Sequence, residues 1–123
     1  MNNNKIVTKF GGSSLADAGQ FEKVKAILLL DERRQYVVPS APGRRFKEDD
    51  KVTDLLYACY DHAQSKNDEK FEETFAKIKE RYLILRDALC PEYAIEEELD
   101  GVYASFKGRL GGKDHAASRG EYL

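Results

Sequence analysis

Lys9-Phe10-Gly11-Gly12-Ser13-Ser14 is the stretch of this chain whose residue types point most directly to chemistry. A strand that ends in paired glycines and turns into a helix leaves backbone N–H groups free to face an anion. The helix N-terminus adds partial positive charge at the same spot, and Lys9 sits close enough in sequence to reach that anion. Ser40-Ala41-Pro42-Gly43 repeats the pattern after a second strand-like segment. Small turn-forming loops after consecutive parallel strands share the carboxyl edge of the sheet, where open α/β folds bind ligands. Each loop also reads as a tight structural turn, with Lys9 as an exposed lysine, and residue types alone leave both readings open. Two common nucleotide signatures are absent. No G-x-G-x-x-G follows the first strand, and a Walker A loop ending at Gly112-Lys113 would need Gly at 107 and Ser or Thr at 114, where the chain has Lys107 and Asp114.

The elements that must position these loops follow from periodicity. Lys5 to Phe10 is short, β-branched and bounded by glycines, which predicts a buried strand. Phe21, Val24 and Leu28 form one stripe of a first helix, and Asp17 with Gln20 three residues later is a capping pair for its start. Tyr36-Val37-Val38 predicts a second strand, which Pro39 and Pro42 close. Arg44 to Lys51 is nearly all charged and reads as a solvated loop. A second helix shows Val52, Leu55, Leu56 and Cys59, and a third shows Phe71, Phe75, Ile78, Tyr82, Leu85 and Leu89. Pro91 separates the third from a fourth with Ile95, Leu99, Val102, Phe106 and Leu110. The short break between these last two predicts an antiparallel, protruding hairpin. Gly108 to Gly112 reads as a Gly-rich loop, and Ser118 to Leu123 as the first turn of another helix. This order describes the opening of a mostly parallel α/β fold, and a two-stranded parallel sheet predicts further strands.

Composition narrows the function classes. In 123 residues, 20 Lys plus Arg nearly balance 22 Asp plus Glu, so no general attraction to nucleic acid or an anionic membrane arises. The longest apolar run, Ala26 to Leu30, is far below the ~20 residues of a membrane span. The polar N-terminus shows no signal-peptide pattern. Cys59 and Cys90 are too far apart for a zinc pair and read as reduced thiols, one in the core and one at a helix end. His62 and His115 have no ligand partners at metal spacing, so no metal site is expected from the residues. Arg44, Arg45 and Lys47 are offset by Glu48, Asp49 and Asp50. Asp114-His115 could line the mouth of a site near Glu121, against the plainer reading of a surface pair.

Four patterns in order carry a family resemblance. Lys9-Phe10-Gly11-Gly12-Ser13-Ser14 resembles the opening signature of aspartate kinases, within the amino-acid kinase family. Ser40-Ala41-Pro42-Gly43 resembles that family's second loop, Val52-Thr53-Asp54-Leu55-Leu56 the helix start after it, and Ser118-Arg119-Gly120-Glu121 its Ser-x-Gly-Glu segment. The resemblance implies the start of a three-layer α/β/α kinase fold, and transfer of the ATP γ-phosphoryl group to the side-chain carboxylate of L-aspartate. The product is 4-phospho-L-aspartate, on the way to lysine, threonine and methionine. It implies Lys9 for charge neutralisation on the phosphoryl group, Gly11, Gly12 and Ser13 with Ser40 for the ATP phosphates, and Thr53 and Glu121 for aspartate. Mg²⁺ is implied with ATP, without a protein ligand identified in this chain. A cytoplasmic, homo-oligomeric parent follows in the same way. Phosphoryl transfer needs positioning and charge stabilisation, which suits a lysine and N–H-rich loops.

The resemblance also implies that residues 1–123 are the N-terminal portion of a catalytic domain. On that reading the adenine half, a later substrate Arg, an Asp of the phosphate site and the regulatory ACT domains lie elsewhere. The expectation is then that residues 1–123 alone do not turn over ATP and self-associate or fold marginally. Two other readings stand beside it: a non-catalytic binding or assembly module built on the helical hairpin, and a related kinase acting on another carboxylate such as glutamate.

Overall fold

The computed structural model describes residues 4–108 and 112–123. Strands β1 (Ile6–Phe10) and β2 (Arg34–Pro39) pair in parallel, with Val7 opposite Tyr36, Lys9 opposite Val38 and Phe10 opposite Pro39. A single 3₁₀ turn over Gly12–Leu15 leads from β1 into helix α1 (Ala18–Leu29). Asp17 caps α1, its carboxylate accepting the Gln20 N–H at 2.9 Å, which is the expected capping pair. Phe10, Leu15 and Val24 form a small cluster, with Phe21 and Leu28 against it. One face of the sheet is thus covered by α1.

The expected buried strand is only half buried. Phe10 is inside, whereas Val7 is 66% exposed and Lys9 is also exposed. The cause is that Val7 and Lys9 alternate onto the face that α1 does not cover. The second strand is longer than its expected Tyr36-Val37-Val38 and takes in Pro39. In a parallel pair the bonds to a residue come from the neighbours of its opposite number. The Phe10 carbonyl accepts from the Ser40 N–H at 3.1 Å, so Pro39 sits in the ladder without a lost donor.

The larger core lies among the helices α2 (Val52–Gln64), α3 (Asp68–Leu89), α4 (Ile95–Lys107) and α5 (Lys113–Tyr122). Leu56, Ile78 and Leu99 are fully enclosed, together with Phe71 and Cys59. The α3–α4 hairpin is antiparallel as expected. Phe71 near the start of α3 meets Tyr103 and Phe106 near the end of α4 at 5.4 and 5.9 Å between rings, and Arg86 bonds the Tyr93 carbonyl at 2.8 Å at the other end. It does not protrude, however. Its apolar stripes also bury against α2, because two amphipathic helices alone leave part of each stripe open to water.

Helix α5 begins at Lys113, five residues before the expected Ser118, since Ala116 packs into the core and holds an earlier turn. Gly108 ends α4 and Gly112 precedes α5. The remainder of the expected Gly-rich loop, with Leu110 of the α4 stripe, lies outside the described residues.

Candidate functional site

Three close backbone approaches build the site. The first is between the two sequence loops, where the Gly43 N–H donates to the Gly12 carbonyl at 2.8 Å. A Cβ on Gly43 would stand 2.7 Å from the Gly12 carbonyl carbon, and one on Gly12 would stand 2.9 Å from the Ala41 oxygen. Both obstacles are backbone, so no rotamer change relieves them, and glycine is required on each side of the contact. The second approach is the start of α2, where the Val52 N–H donates to the Pro42 carbonyl at 3.1 Å. The third is α5, where a Cβ on Gly120 would fall 2.4 Å from the Ala41 Cβ. The Tyr82 hydroxyl fixes this end by donating to the Gly120 carbonyl at 2.8 Å. Burial pushes the Tyr82 pKa above the usual phenol range, so the hydroxyl keeps its proton and remains a donor.

These contacts enclose an open polar cavity of about 450 Å³. Of the expected site residues, Gly12, Ser13, Ser40, Thr53 and Glu121 line it together, although they come from four separate segments. Lys9 and Gly11 do not line it. Lys9 leaves β1 on the uncovered sheet face, and Gly11 sits at the strand end. Gly11 has an ordinary extended backbone (φ −75°, ψ 171°), and a Cβ there would meet nothing within 4 Å. Neither backbone angle nor packing within the described residues calls for glycine at this position. Asp114 and His115, a possible mouth pair, are not in the lining either.

Two cations that residue types had assigned to the solvated loop do line the cavity, namely Arg44 and Lys51. The loop itself is anchored, not free. Arg45 grips the Asp49 carboxylate through Nε at 2.7 Å and Nη2 at 3.0 Å, which leaves that side chain 9% exposed. The Arg45 hydrogen bond is the main reason the Asp49 carboxyl is held well below the usual carboxylate range. Arg81 on α3 completes the anchor from inside the protein. It falls three residues after Ile78 on the apolar stripe, and a charge at such a position is the one sequence signal that marks it. Cys59, by contrast, is an inert core residue whose thiol is pushed up to about 12 by burial.

Among the described residues, the cavity offers loop N–H groups, the hydroxyls of Ser13, Ser40 and Thr53, two cations and one carboxylate, Glu121. That set suits a polar ligand carrying both charge signs. It does not by itself make a metal site, since among the described residues no three His, Cys, Asp or Glu side chains gather. Among the same residues no helix is long and apolar enough to cross a membrane.

No family model matches the chain. It is 39% identical over 103 residues to aspartokinase 3 of Bacillus subtilis (strain 168), an alignment covering 83% of this chain and 22% of that protein. The crystal structure of Clostridium acetobutylicum aspartate kinase superposes with a TM-score of 0.86 at 46% identity, over 94% of this chain and 26% of that one. E. coli aspartokinase III in complex with aspartate and ADP superposes with a TM-score of 0.75 at 23% identity, over 97% and 26%. The last of these supports the fold alone. The chain spans about a quarter of the length of the relatives it matches.

Proposed function

From a chain with the sequence and fold of an aspartate kinase segment, we propose that these residues form part of the active site of a kinase that phosphorylates the side-chain carboxylate of L-aspartate. ATP is the phosphoryl donor and 4-phospho-L-aspartate the product. The observation that carries this reading is the convergence of Gly12, Ser13, Ser40, Thr53 and Glu121 on one polar cavity, held by three close backbone approaches. Backbone N–H groups of the Gly11–Ser13 turn and the Ser40 hydroxyl receive the ATP phosphates. Lys9, beside this turn at the end of β1 but outside the cavity lining, is assigned to the charge that develops on the transferring group, a role cations take in phosphoryl transfer. Glu121 accepts from the aspartate ammonium, and Thr53 hydrogen-bonds the same substrate.

E. coli aspartokinase III, which shares the fold, is solved with aspartate and ADP, and a cavity carrying both charge signs suits such a pair. Mg²⁺ accompanies ATP, but Glu121 is the one carboxylate of the cavity and is committed to the ammonium, so no step is assigned through a metal here. A cytoplasmic setting, a homo-oligomeric assembly and a place at the start of lysine, threonine and methionine synthesis belong to the same reading. A coupled ADP-release assay with Mg-ATP tests it on the full-length protein. ADP release that depends on L-aspartate, exceeds that with L-glutamate and falls in Lys9→Ala is expected. Release that is indifferent to aspartate would refute the assignment.

A further inference from the structure

We propose that Arg81 is a positioning residue whose buried guanidinium sets the spacing of the three segments that carry the cavity's polar groups. Arg81 is 4% exposed, and it does not line the cavity. Its Nη2 donates to the Gly43 carbonyl at 2.6 Å and to the Ala16 carbonyl at 3.1 Å, and its Nη1 donates to the Asp50 carbonyl at 2.8 Å. Ala16 closes the turn that carries Gly12 and Ser13. Gly43 ends the loop that carries Ser40. Asp50 stands three residues before Thr53. One side chain from the middle of α3 therefore ties together backbone that is 65, 38 and 31 residues away.

The chemistry of the group fits the task. A guanidinium is a rigid planar fork whose donors hold their acceptors at fixed mutual angles, whereas a lysine ammonium is a point charge on a flexible stem. A buried cation also needs a counter-charge, and Asp49 supplies it at 3.4 Å from Nη1 while Arg45 holds that carboxylate from outside. Removing the fork frees the Gly43 and Asp50 carbonyls, and the bonds from the Gly43 N–H to Gly12 and from the Val52 N–H to Pro42 lose their backing.

Amide hydrogen exchange on the full chain tests this, with the Gly43 and Val52 amides as reporters and amides of the α3–α4 core as reference. Arg81→Lys should speed exchange at both reporters by about tenfold over the reference, the worth of roughly one hydrogen bond. Asp49→Asn, which keeps the three carbonyl contacts while lowering stability as a whole, should leave the reporters within about threefold of wild type when each is taken relative to the reference amides. Phe75→Leu, a core change within the α3–α4 hairpin, should move reporters and reference together, as a merely structural effect does. Unchanged reporters in Arg81→Lys would overturn the proposal. So would an Asp49→Asn variant as loosened as Arg81→Lys, because the ion pair and not the fork would then be the device. A kinetic arm rests on the phosphoryl-transfer reading. In it, Arg81→Lys raises KM for both aspartate and ATP while kcat moves less. Absence of aspartate-dependent turnover in the wild type would fail that reading and leave the exchange result standing.

Discussion

Gly43→Ala offers the sharpest test of how the site is assembled. The added Cβ would stand 2.7 Å from the Gly12 carbonyl carbon and 2.9 Å from both the Gly12 oxygen and the Ser13 nitrogen. Carbon atoms in good contact lie ~3.5–4.0 Å apart, so the two loops must separate by roughly 0.8 Å. The Gly43–Gly12 hydrogen bond, 2.8 Å at rest, would stretch to about 3.6 Å and cease to be one. Overpacking of this kind costs ~1–3 kcal/mol, and the lost bond adds ~0.5–1.5 kcal/mol. A loss of about 2–4 kcal/mol is therefore expected in urea denaturation followed by circular dichroism, with the m-value unchanged. Gly11→Ala is the matched control. Its Cβ would meet nothing within 4 Å, and its φ of −75° suits alanine, so stability should hold or rise by ~0.4–1 kcal/mol. If phosphate groups lie against this turn, the same methyl should nonetheless raise KM for ATP. A Gly43→Ala variant as stable as wild type would refute the close-approach argument.

The remaining expectations concern single groups. Lys9→Ala should lower kcat by ~10²–10³ with KM for aspartate little changed, as loss of a transition-state charge contact does; an unchanged kcat refutes its role. Glu121→Ala should act mainly by raising KM for aspartate, and intact aspartate affinity would remove the ammonium assignment. Asp49 has a folded-state pKa below its unfolded value of ~3.9, so the stability it contributes is present above that pH and is lost as pH falls through the folded value. The stability gap between wild type and Asp49→Asn, measured by denaturation, should be wide at neutral pH and shrink below about pH 4; a constant gap contradicts this. A thiol reagent should modify exposed Cys90 quickly and Cys59 only on unfolding, as read by mass spectrometry.

Local signals in the sequence reached far into this fold and stopped where tertiary contacts decide. The Asp17–Gln20 cap, the stripes of α2 to α4 and the sense of the hairpin depend on neighbours within a few residues, and the structure carries them as expected. The start of α5 does not. Lys113-Asp114-His115-Ala116-Ala117 has little apolar periodicity, and the helix begins there because Ala116 finds the core. Pro39 reads as a strand end until the ladder geometry of a parallel pair is known. Within the site, five of seven candidate residues meet in one cavity: Gly12, Ser13 and Ser40 were legible as turns after parallel strands, whereas Thr53 and Glu121 were marked by the family resemblance alone. Arg44 and Lys51 were hidden by composition: a charged loop reads as solvated until a buried arginine three turns along another helix pins it in place. Which glycines matter is also a long-range property, because Gly12, Gly43 and Gly120 are needed only through contacts with one another's loops.

Pro39 has one more effect, on the side of β2 that faces away from β1. The N–H that a residue at this rung would turn outward from β1 is missing, so a strand approaching the outer edge of β2 finds no donor at the last rung before Ser40. Any neighbouring chain that adds itself to that edge must stop short of the loop. Edge strands invite unplanned pairing, and a proline at the ligand end is a known way of discouraging it. The same ring therefore confines any pairing on that side of β2 to the rungs that precede the Ser40 loop.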